Sequence, residues 1–297
     1  MSIAPLLGIL PLDKPPDWTS HDVVAKARGI LGLRRVGHAG TLDPMATGLL
    51  VVLVGKATRL MDLLPGDKTY ETRLRLGFRS DTLDAEGEVR PTGAALPALQ
   101  EIYAVLPRFL GSIEQIPPMV SAVKVNGQRL YKLARQGLEI ERKPRPVTVY
   151  ALDIQDIGLE SELGLTVTCS SGTYVRTLID DLGDALGCGA IMTALRRVRS
   201  GPYDISQATS LEELSRRKGE DPSGWLLPIQ SALPDIPSYT PTAAEERALY
   251  QGKPVAIRDG PLCEDGQLCW LTDEAGAAFA LARAEQGAMK LHVNFKD

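Results

Sequence analysis

The alternation of apolar and polar residues predicts a chain built mainly from β-strands. The segment TYETRLRLGF alternates at every second position, which is typical of a strand with one buried face. The run Leu49–Val54 is apolar throughout and predicts a buried strand. The segments VTVYALDIQDIG and LGLTVTCSSG predict two paired strands, and LLGILPLD predicts a first strand.

Apolar residues at helical spacing predict helices between these strands. Ser20 is the predicted N-cap of a helix over HDVVAKARGILG. The segment PALQEIYAVLPRFLG has helical spacing, and TYVRTLIDDLGDALG predicts a helix that follows a Ser-Gly turn and ends near Gly187. Together these elements predict an α+β fold with a mainly antiparallel sheet.

Prolines predict the domain organisation. Pro228, Pro234, Pro237 and Pro241 interrupt regular structure and place a boundary near residue 235. The larger domain is predicted to span residues 1–235 and a small β-rich domain residues 236–297, with strands at KPVAIR, QLCWLTD and AAFALARAE. Within the larger domain, residues 118–146 form a proline-bounded segment that is predicted to be an insertion.

Composition and charge narrow the class of protein. Of the 297 residues, 44% are hydrophobic and 24% charged, as in a soluble globular protein, and no apolar run approaches the length of a membrane span. Four cysteines without a CxxC pair, in a chain without a basic leader, predict free thiols and a cytoplasmic location. The net charge is −4, yet the 118–146 insertion holds seven basic and two acidic residues, a pattern that suits phosphate binding.

The candidate chemistry begins with a carboxylate on a turn. Asp43 stands in HAGTLDPMATG, and Pro44 pushes it towards an extended conformation directly before the buried strand. Taken alone, Asp43 is also consistent with an ordinary turn residue that only caps the turn. Tyr70, Arg176 and Leu195, each taken alone, are equally consistent with packing or surface roles.

In combination and order, these segments resemble the bacterial tRNA pseudouridine-55 synthase family, the TruB family. The resemblance covers roughly residues 8–203 and includes VGHAGTLDPMATGLL, KTYE, SAVKVNGQRLYKLARQG, SSGTYVRTLIDDLG and LRRVRSGPY. It implies a pseudouridine synthase fold with a C-terminal RNA-binding domain of the PUA type. It also implies isomerisation of uridine to pseudouridine at position 55 in the T loop of tRNA, with neither cofactor nor metal, and a role as a tRNA folding aid. A monomer is expected.

The resemblance also implies roles for individual residues. Asp43 would be the catalytic nucleophile, Arg176 would pair with it and keep it ionised, and Tyr70 would pack on the base and remove its C5 proton. The remaining implied residues would bind RNA: His38, Tyr174 and Leu195 around the substrate, and Lys124, Arg129, Lys132 and Arg135 on the basic insertion, which corresponds to the family's thumb.

Two departures from the family pattern are mild, and one mechanistic question stays open. Asp17 replaces a glycine of the pattern KPxGxTS, and aspartate tolerates the left-handed conformation better than most residues. Ser80 stands where threonine is usual. Whether Asp43 attacks C6 of the base or C1′ of the sugar does not follow from the sequence.

Three other functions compete with this interpretation. A non-catalytic RNA-binding or RNA-folding protein would need the basic insertion but not Asp43. A sibling enzyme could modify another RNA, although the chain lacks the long basic extensions expected of a guided complex. A metal-dependent hydrolase could use His38, Asp43 and Asp84, but a second histidine at ligand spacing is missing.

Overall fold

The computed structural model describes residues 6–121, 124–125, 128–130, 133, 136–138, 140–159, 161–256 and 263–296. The strands are β1 (Gly8–Lys14), β2 (Val36–Ala39), β3 (Thr47–Val54), β4 (Lys68–Leu76), β5 (Phe78–Ser80), β6 (Val89–Pro91), β7 (Gly111–Gln115), β8 (Lys124–Val125), β9 (Gln128–Arg129), β10 (Arg145–Leu159), β11 (Glu162–Cys169), β12 (Ala190–Ser200), β13 (Tyr203–Asp204), β14 (Thr209–Ser210), β15 (Ser238–Tyr239), β16 (Val255–Ala256), β17 (Leu268–Thr272), β18 (Ala278–Glu285) and β19 (Ala288–Asn294). The helices are α1 (Ser20–Leu31), α2 (Leu99–Val105), α3 (Val175–Ala185), α4 (Leu211–Arg216) and α5 (Ala243–Tyr250).

Ten strands form the main sheet. Its order is β14-β1-β3-β12-β4-β11-β10-β7, with β2 paired to β3 and β13 paired to β12. Only the β1–β14 and β3–β12 pairs of this sheet are parallel in the described part of the chain. The predicted α+β fold with a mainly antiparallel sheet is therefore confirmed, as is the β10–β11 pair.

Alternation along β4 explains how the sheet separates core from solvent. Tyr70, Thr72, Leu74 and Leu76 are buried, while the residues between them are exposed. Tyr70, Leu74 and Leu76 pack with Leu178 and other apolar residues of α3 against one face of the sheet. This packing fixes Tyr70 and the start of α3 close to each other.

A second, five-stranded sheet, β15-β17-β18-β19-β16, forms the C-terminal part of the chain. Trp270 and Leu281 of this sheet, together with Phe295 directly after β19, share a buried apolar cluster with Leu49 and Val51 of β3. The small β-rich unit therefore packs directly on the main sheet. No helix among the described residues is long and apolar enough to cross a membrane.

The prediction that Ser20 is the N-cap of α1 is wrong by one residue. Thr19 is the cap: its Oγ1 accepts a hydrogen bond from the Asp22 amide (3.1 Å), and its own amide donates to Asp22 Oδ2 (2.9 Å). Ser20 is buried, and its hydroxyl contacts a different part of the chain. It accepts from the Leu42 amide (2.8 Å) and donates to the Leu42 carbonyl (3.1 Å).

Candidate active site

The turn that carries Asp43 is held by the connection between β1 and α1. The Asp17 amide and Lys14 Nζ both donate to the Pro44 carbonyl, at 3.0 and 2.9 Å, and Ser20 fixes Leu42 on the other side of Asp43. Asp17 has φ 63°, the left-handed conformation expected where the family pattern has glycine. The carboxylate therefore stands on a rigid turn at the edge of the sheet.

Lys14 is a buried cation that the sequence interpretation did not single out. Its side chain is fully buried, and Nζ also donates to the carbonyls of Pro15 (2.9 Å) and Trp18 (2.6 Å). Burial lowers the pKa of Lys14 to about 8, although the carboxylates of Asp17 and Asp43 oppose this shift. The lysine thus links three carbonyls behind the Asp43 turn.

Arg176 brings two carboxylates together at the start of α3. Its Nη2 lies 2.7 Å from Asp43 Oδ2, and its Nη1 lies 3.3 Å from Asp84 Oδ2. The guanidinium also donates to the carbonyls of Val120 (3.0 Å) and Thr82 (3.4 Å). Arg176 and Asp84 are both 4% exposed at the side chain, whereas Asp43 is 38% exposed and reaches the pocket.

Opposing effects set the charge of Asp43. Burial raises the pKa of its carboxyl above the usual range, and the Asp84 carboxylate adds to this rise. The Arg176 guanidinium and the Lys14 ammonium lower it, but by less than burial and the Asp84 carboxylate together raise it. Arg176 therefore favours the ionised form of Asp43, as expected, but it is only one of these opposing effects.

Tyr70 and Leu195 line the same pocket as Asp43, which has a volume of about 290 Å³. Tyr70 on β4 is 7% exposed, and Leu195 on β12 is 9% exposed. Burial raises the pKa of the Tyr70 phenol, so the hydroxyl is protonated at neutral pH. The other lining residues are Gly40, Thr41, Leu42, Lys68, Ser121, Ser170, Ser171, Gly172, Thr173, Tyr174, Val175, Arg176 and Met192.

Gln115 fixes Tyr174, which stands at the N-terminus of α3. The Tyr174 amide donates to Gln115 Oε1 (3.0 Å), and Gln115 Nε2 donates to the Tyr174 carbonyl (3.2 Å). Gln115 is 1% exposed, so this double hydrogen bond is shielded from water. It holds in place the backbone that leads into Arg176.

Comparison with known proteins identifies the family of this chain. The model of the TruB family pseudouridylate synthase N-terminal domain matches residues 28–175, and that of the tRNA pseudouridylate synthase B C-terminal domain matches residues 176–234. A Dechloromonas aromatica (strain RCB) protein named tRNA pseudouridine synthase B is 45% identical over 254 residues, which cover 85% of each chain. The chain belongs to the TruB family. Its relative of the same name in Ectopseudomonas mendocina (strain ymp) is 46% identical over 265 residues, 86% of this chain and 84% of that protein.

Solved structures of distant relatives share the fold. A chain of a Cbf5-Nop10-Gar1 complex superimposes with a TM-score of 0.73 at 28% identity, covering 98% of this chain and 85% of that one. A chain of an H/ACA RNP bound to a substrate RNA containing 2′-deoxyuridine gives the same TM-score and the same coverage at 26% identity. The predicted pseudouridine synthase fold is therefore confirmed for this TruB family member.

His38 lies on β2, opposite Val52 of β3, and is not among the residues that line the Asp43 pocket. Its Nδ1 is buried without a hydrogen-bond partner in the described part of the chain. Burial and the Arg197 charge lower the pKa of its imidazole, which favours the neutral form. The structure thus does not bring His38 into the pocket, and its contact with RNA stays a prediction.

The basic insertion is described only in part. Lys124 and Arg129 pair through their backbones in the β8–β9 hairpin, while their side chains, and Lys132 and Arg135 altogether, lie outside the described residues. The proposed metal ligands Asp43 and Asp84 instead share Arg176. No group of three histidine, cysteine or acidic residues in the described segments is arranged to hold a metal ion.

Proposed function

We propose that this TruB family protein isomerises uridine to pseudouridine at position 55 in the T loop of tRNA, with Asp43 as the nucleophile. The proposal rests on the Asp43 carboxylate, which faces a pocket, lies on a turn held by hydrogen bonds and forms an ion pair with Arg176. The name of its relatives, tRNA pseudouridine synthase B, supports the choice of RNA.

The reaction breaks the bond between N1 and C1′ of the nucleoside, rotates the base and joins C5 to C1′. An aspartate can supply a covalent intermediate for such a reaction. Arg176 stabilises the carboxylate and orients it, and its planar fork suits two carboxylates better than a lysine would. The aromatic ring of Tyr70 and the aliphatic side chain of Leu195 form the apolar walls that hold the detached base.

The target base has to leave the tRNA loop before it can reach Asp43. Extracting a base costs a few kcal/mol. We propose that phosphate contacts from Lys124, Arg129, Lys132 and Arg135 on the basic insertion offset this cost, with help from His38. Tyr174 stands beside Arg176 at the pocket and would contact the flipped nucleotide.

We further propose that the chain divides functionally near residue 235. The second family model ends at residue 234, and the five-stranded sheet begins at Ser238. Residues 1–235 would then form the catalytic domain and residues 236–297 a PUA-type RNA-binding domain. We also propose that the enzyme is cytoplasmic and monomeric and that it aids tRNA folding.

Replacement of Asp43 by asparagine tests the proposal. In a T-arm hairpin with tritium at C5 of the target uridine, each isomerisation releases the label. We expect Asp43→Asn to lower the release rate by at least about 10³-fold, with RNA binding retained, because phosphate and stacking contacts are untouched. Asp17→Asn is the matched control, since asparagine also tolerates its left-handed backbone. Tritium release by Asp43→Asn at the control's rate would exclude Asp43 as nucleophile.

A further inference from the structure

A second buried arginine lies behind the pocket wall. Arg197 on β12 is fully buried, and its Nε and Nη2 donate to the carbonyls of Leu49 (2.7 Å) and Gly40 (3.1 Å). Within the described residues, its Nη1 has no hydrogen-bond partner, and no carboxylate forms an ion pair with it. A buried guanidinium without a carboxylate is costly, since carbonyl oxygens satisfy its hydrogen bonds but do not neutralise its charge.

The strand register places this charge next to Tyr70. Arg197 and Tyr70 are directly opposite residues in the β12–β4 pair, and both side chains are buried. Directly opposite residues on one face of an antiparallel pair are in side-chain contact distance. The positive charge of Arg197 lowers the pKa of the Tyr70 phenol and so favours its ionised form.

Other groups around the Tyr70 hydroxyl disfavour ionisation. Burial does so most strongly, and the thiol of Cys169 on β11 and the carboxylate of Asp43 add to it. Lys68, two residues before Tyr70 on β4, is itself largely buried, and burial and the Arg197 charge lower its pKa. Arg197 is thus the permanently charged cation that faces the phenol.

We propose that Arg197 is a positioning residue that stabilises the phenolate of Tyr70 while that oxygen removes the C5 proton of the rejoined uracil. The inference rests on the proposed function. The Tyr70 phenol, which is protonated in the resting pocket, first releases its proton to solvent. After C5 has bonded to C1′, the phenolate oxygen takes the proton from C5, and the C5–H electron pair forms the C5–C6 double bond. At the same time the N1–C6 π pair moves to N1 or, if Asp43 is bonded to C6, the C6–O bond breaks and its electron pair returns to the Asp43 carboxylate. N1 then takes a proton from solvent, so the reaction has no net proton change. The free Nη1–H of Arg197 remains available to donate to the phenolate oxygen.

The test is a pH profile of single-turnover pseudouridine formation in the T-arm hairpin. Wild type, Arg197→Lys and Arg197→Gln would be compared from neutral to alkaline pH, alone and combined with Tyr70→Phe. Loss of one adjacent opposite charge moves a pKa by about one unit or more, so we expect Arg197→Gln to be about tenfold slower at neutral pH. Its profile should shift to higher pH, and Arg197→Lys, which keeps the charge, should lie between it and wild type.

The Tyr70→Phe background distinguishes this role from a structural one. If Arg197 acts through the phenol, Arg197→Gln should cost less than about twofold in that background. An equal loss of rate in both backgrounds, with an unshifted pH profile, would overturn the inference. Arg197 would then have only the structural role of connecting β3 and the Gly40 turn by hydrogen bonds. Arg196→Gln is the matched control, because Arg196 pairs with Asp13 (2.7 Å) and should leave the profile's midpoint in place.

A second measurement keeps the inference testable if one of the Arg197 variants folds poorly. A fluorinated tyrosine at position 70 ionises more readily and should restore much of the neutral-pH rate of Arg197→Lys. Absence of any such rescue in a folded variant, judged by its melting temperature, would also contradict the inference. Failure of wild type to form pseudouridine would instead refute the proposed function, independently of Arg197.

Discussion

Removal of Arg176 should destabilise the protein strongly because it isolates a buried carboxylate. In Arg176→Met, Asp84 keeps hydrogen bonds from Thr82 Oγ1 (2.6 Å) and the Glu86 amide (3.1 Å) but loses its cation. Breaking a buried ion pair by removing one partner costs about 3–5 kcal/mol. The Asp43 carboxylate, being partly exposed, adds little to that loss of stability.

Urea unfolding measures this loss, and a second arginine provides the matched control. Arg79 also contacts two carboxylates, those of Asp180 and Asp184, but its side chain is 51% exposed. Exposed pairs contribute about 0–1 kcal/mol, so Arg79→Met should reduce the free energy of unfolding by no more than that. The double variant Arg176→Met/Asp84→Asn should recover part of the lost stability, since the amide carries no charge.

Two results would refute this reasoning. If Arg176→Met were no more destabilising than Arg79→Met, the Asp84 carboxylate would not depend on its cation. If adding Asp84→Asn brought no recovery, the loss would come from the packing of Arg176 and not from an isolated charge. Activity should remain absent in the double variant in either case, because Asp43 has lost the guanidinium that orients it.

Three further predictions concern the pocket and the insertion. Because the Asp84 carboxylate raises the pKa of Asp43, Asp84→Asn should lower that pKa and shift the acid limb of the pH–rate profile to lower pH; a shift to higher pH would contradict the electrostatics. Tyr70→Phe should slow single-turnover product formation by about 10² to 10⁴-fold without weakening binding, whereas Tyr70→Leu should also lose about 1–3 kcal/mol of stacking. If Tyr70→Phe formed product as fast as wild type, only the aromatic ring of Tyr70 would contribute to the reaction. The tRNA affinity should fall, and its salt dependence should flatten by about 0.7–0.9 per lost phosphate contact, when four basic residues of the insertion are replaced by alanine: Lys124, Arg129, Lys132 and Arg135. An unchanged slope would mean that these residues do not bind phosphates.

The elements that the sequence predicted are those whose pattern is local. The alternation within Lys68–Leu76 and the apolar run Leu49–Val54 depend only on neighbours in the chain, and the strands Lys68–Leu76 and Thr47–Val54 are both present. The N-cap was misplaced by one residue because Thr19 and Ser20 are both favourable cap types and serine is the more strongly preferred of the two. What separates them is the contact of Ser20 with Leu42, 22 residues away, which no local pattern contains.

The buried charges could not be predicted from local pattern. Lys14, Asp84 and Arg197 are residue types that are almost always exposed, so the sequence favours surface positions for them. Each becomes buried through contacts with distant parts of the chain: Arg176 meets Asp84 across 92 residues, and Arg197 meets the Leu49 carbonyl across 148. Such charges are tolerated only where the fold supplies partners, so burial of this kind follows from the tertiary structure.

One glycine explains how the separate parts of the site come together. β3 and β12 pair in parallel over only two positions, Thr47 with Arg196 and Gly48 with Arg197. A Cβ on residue 48 would lie 2.3 Å from the Arg197 carbonyl oxygen, and Gly48 has φ 98°, so a side chain is excluded on both counts. The close approach lets Arg197 reach the Leu49 carbonyl, and β12 carries Arg197 on to Tyr70 of β4. The glycine of the ATG segment therefore sets the distance between the Asp43 turn and the strand that carries Tyr70.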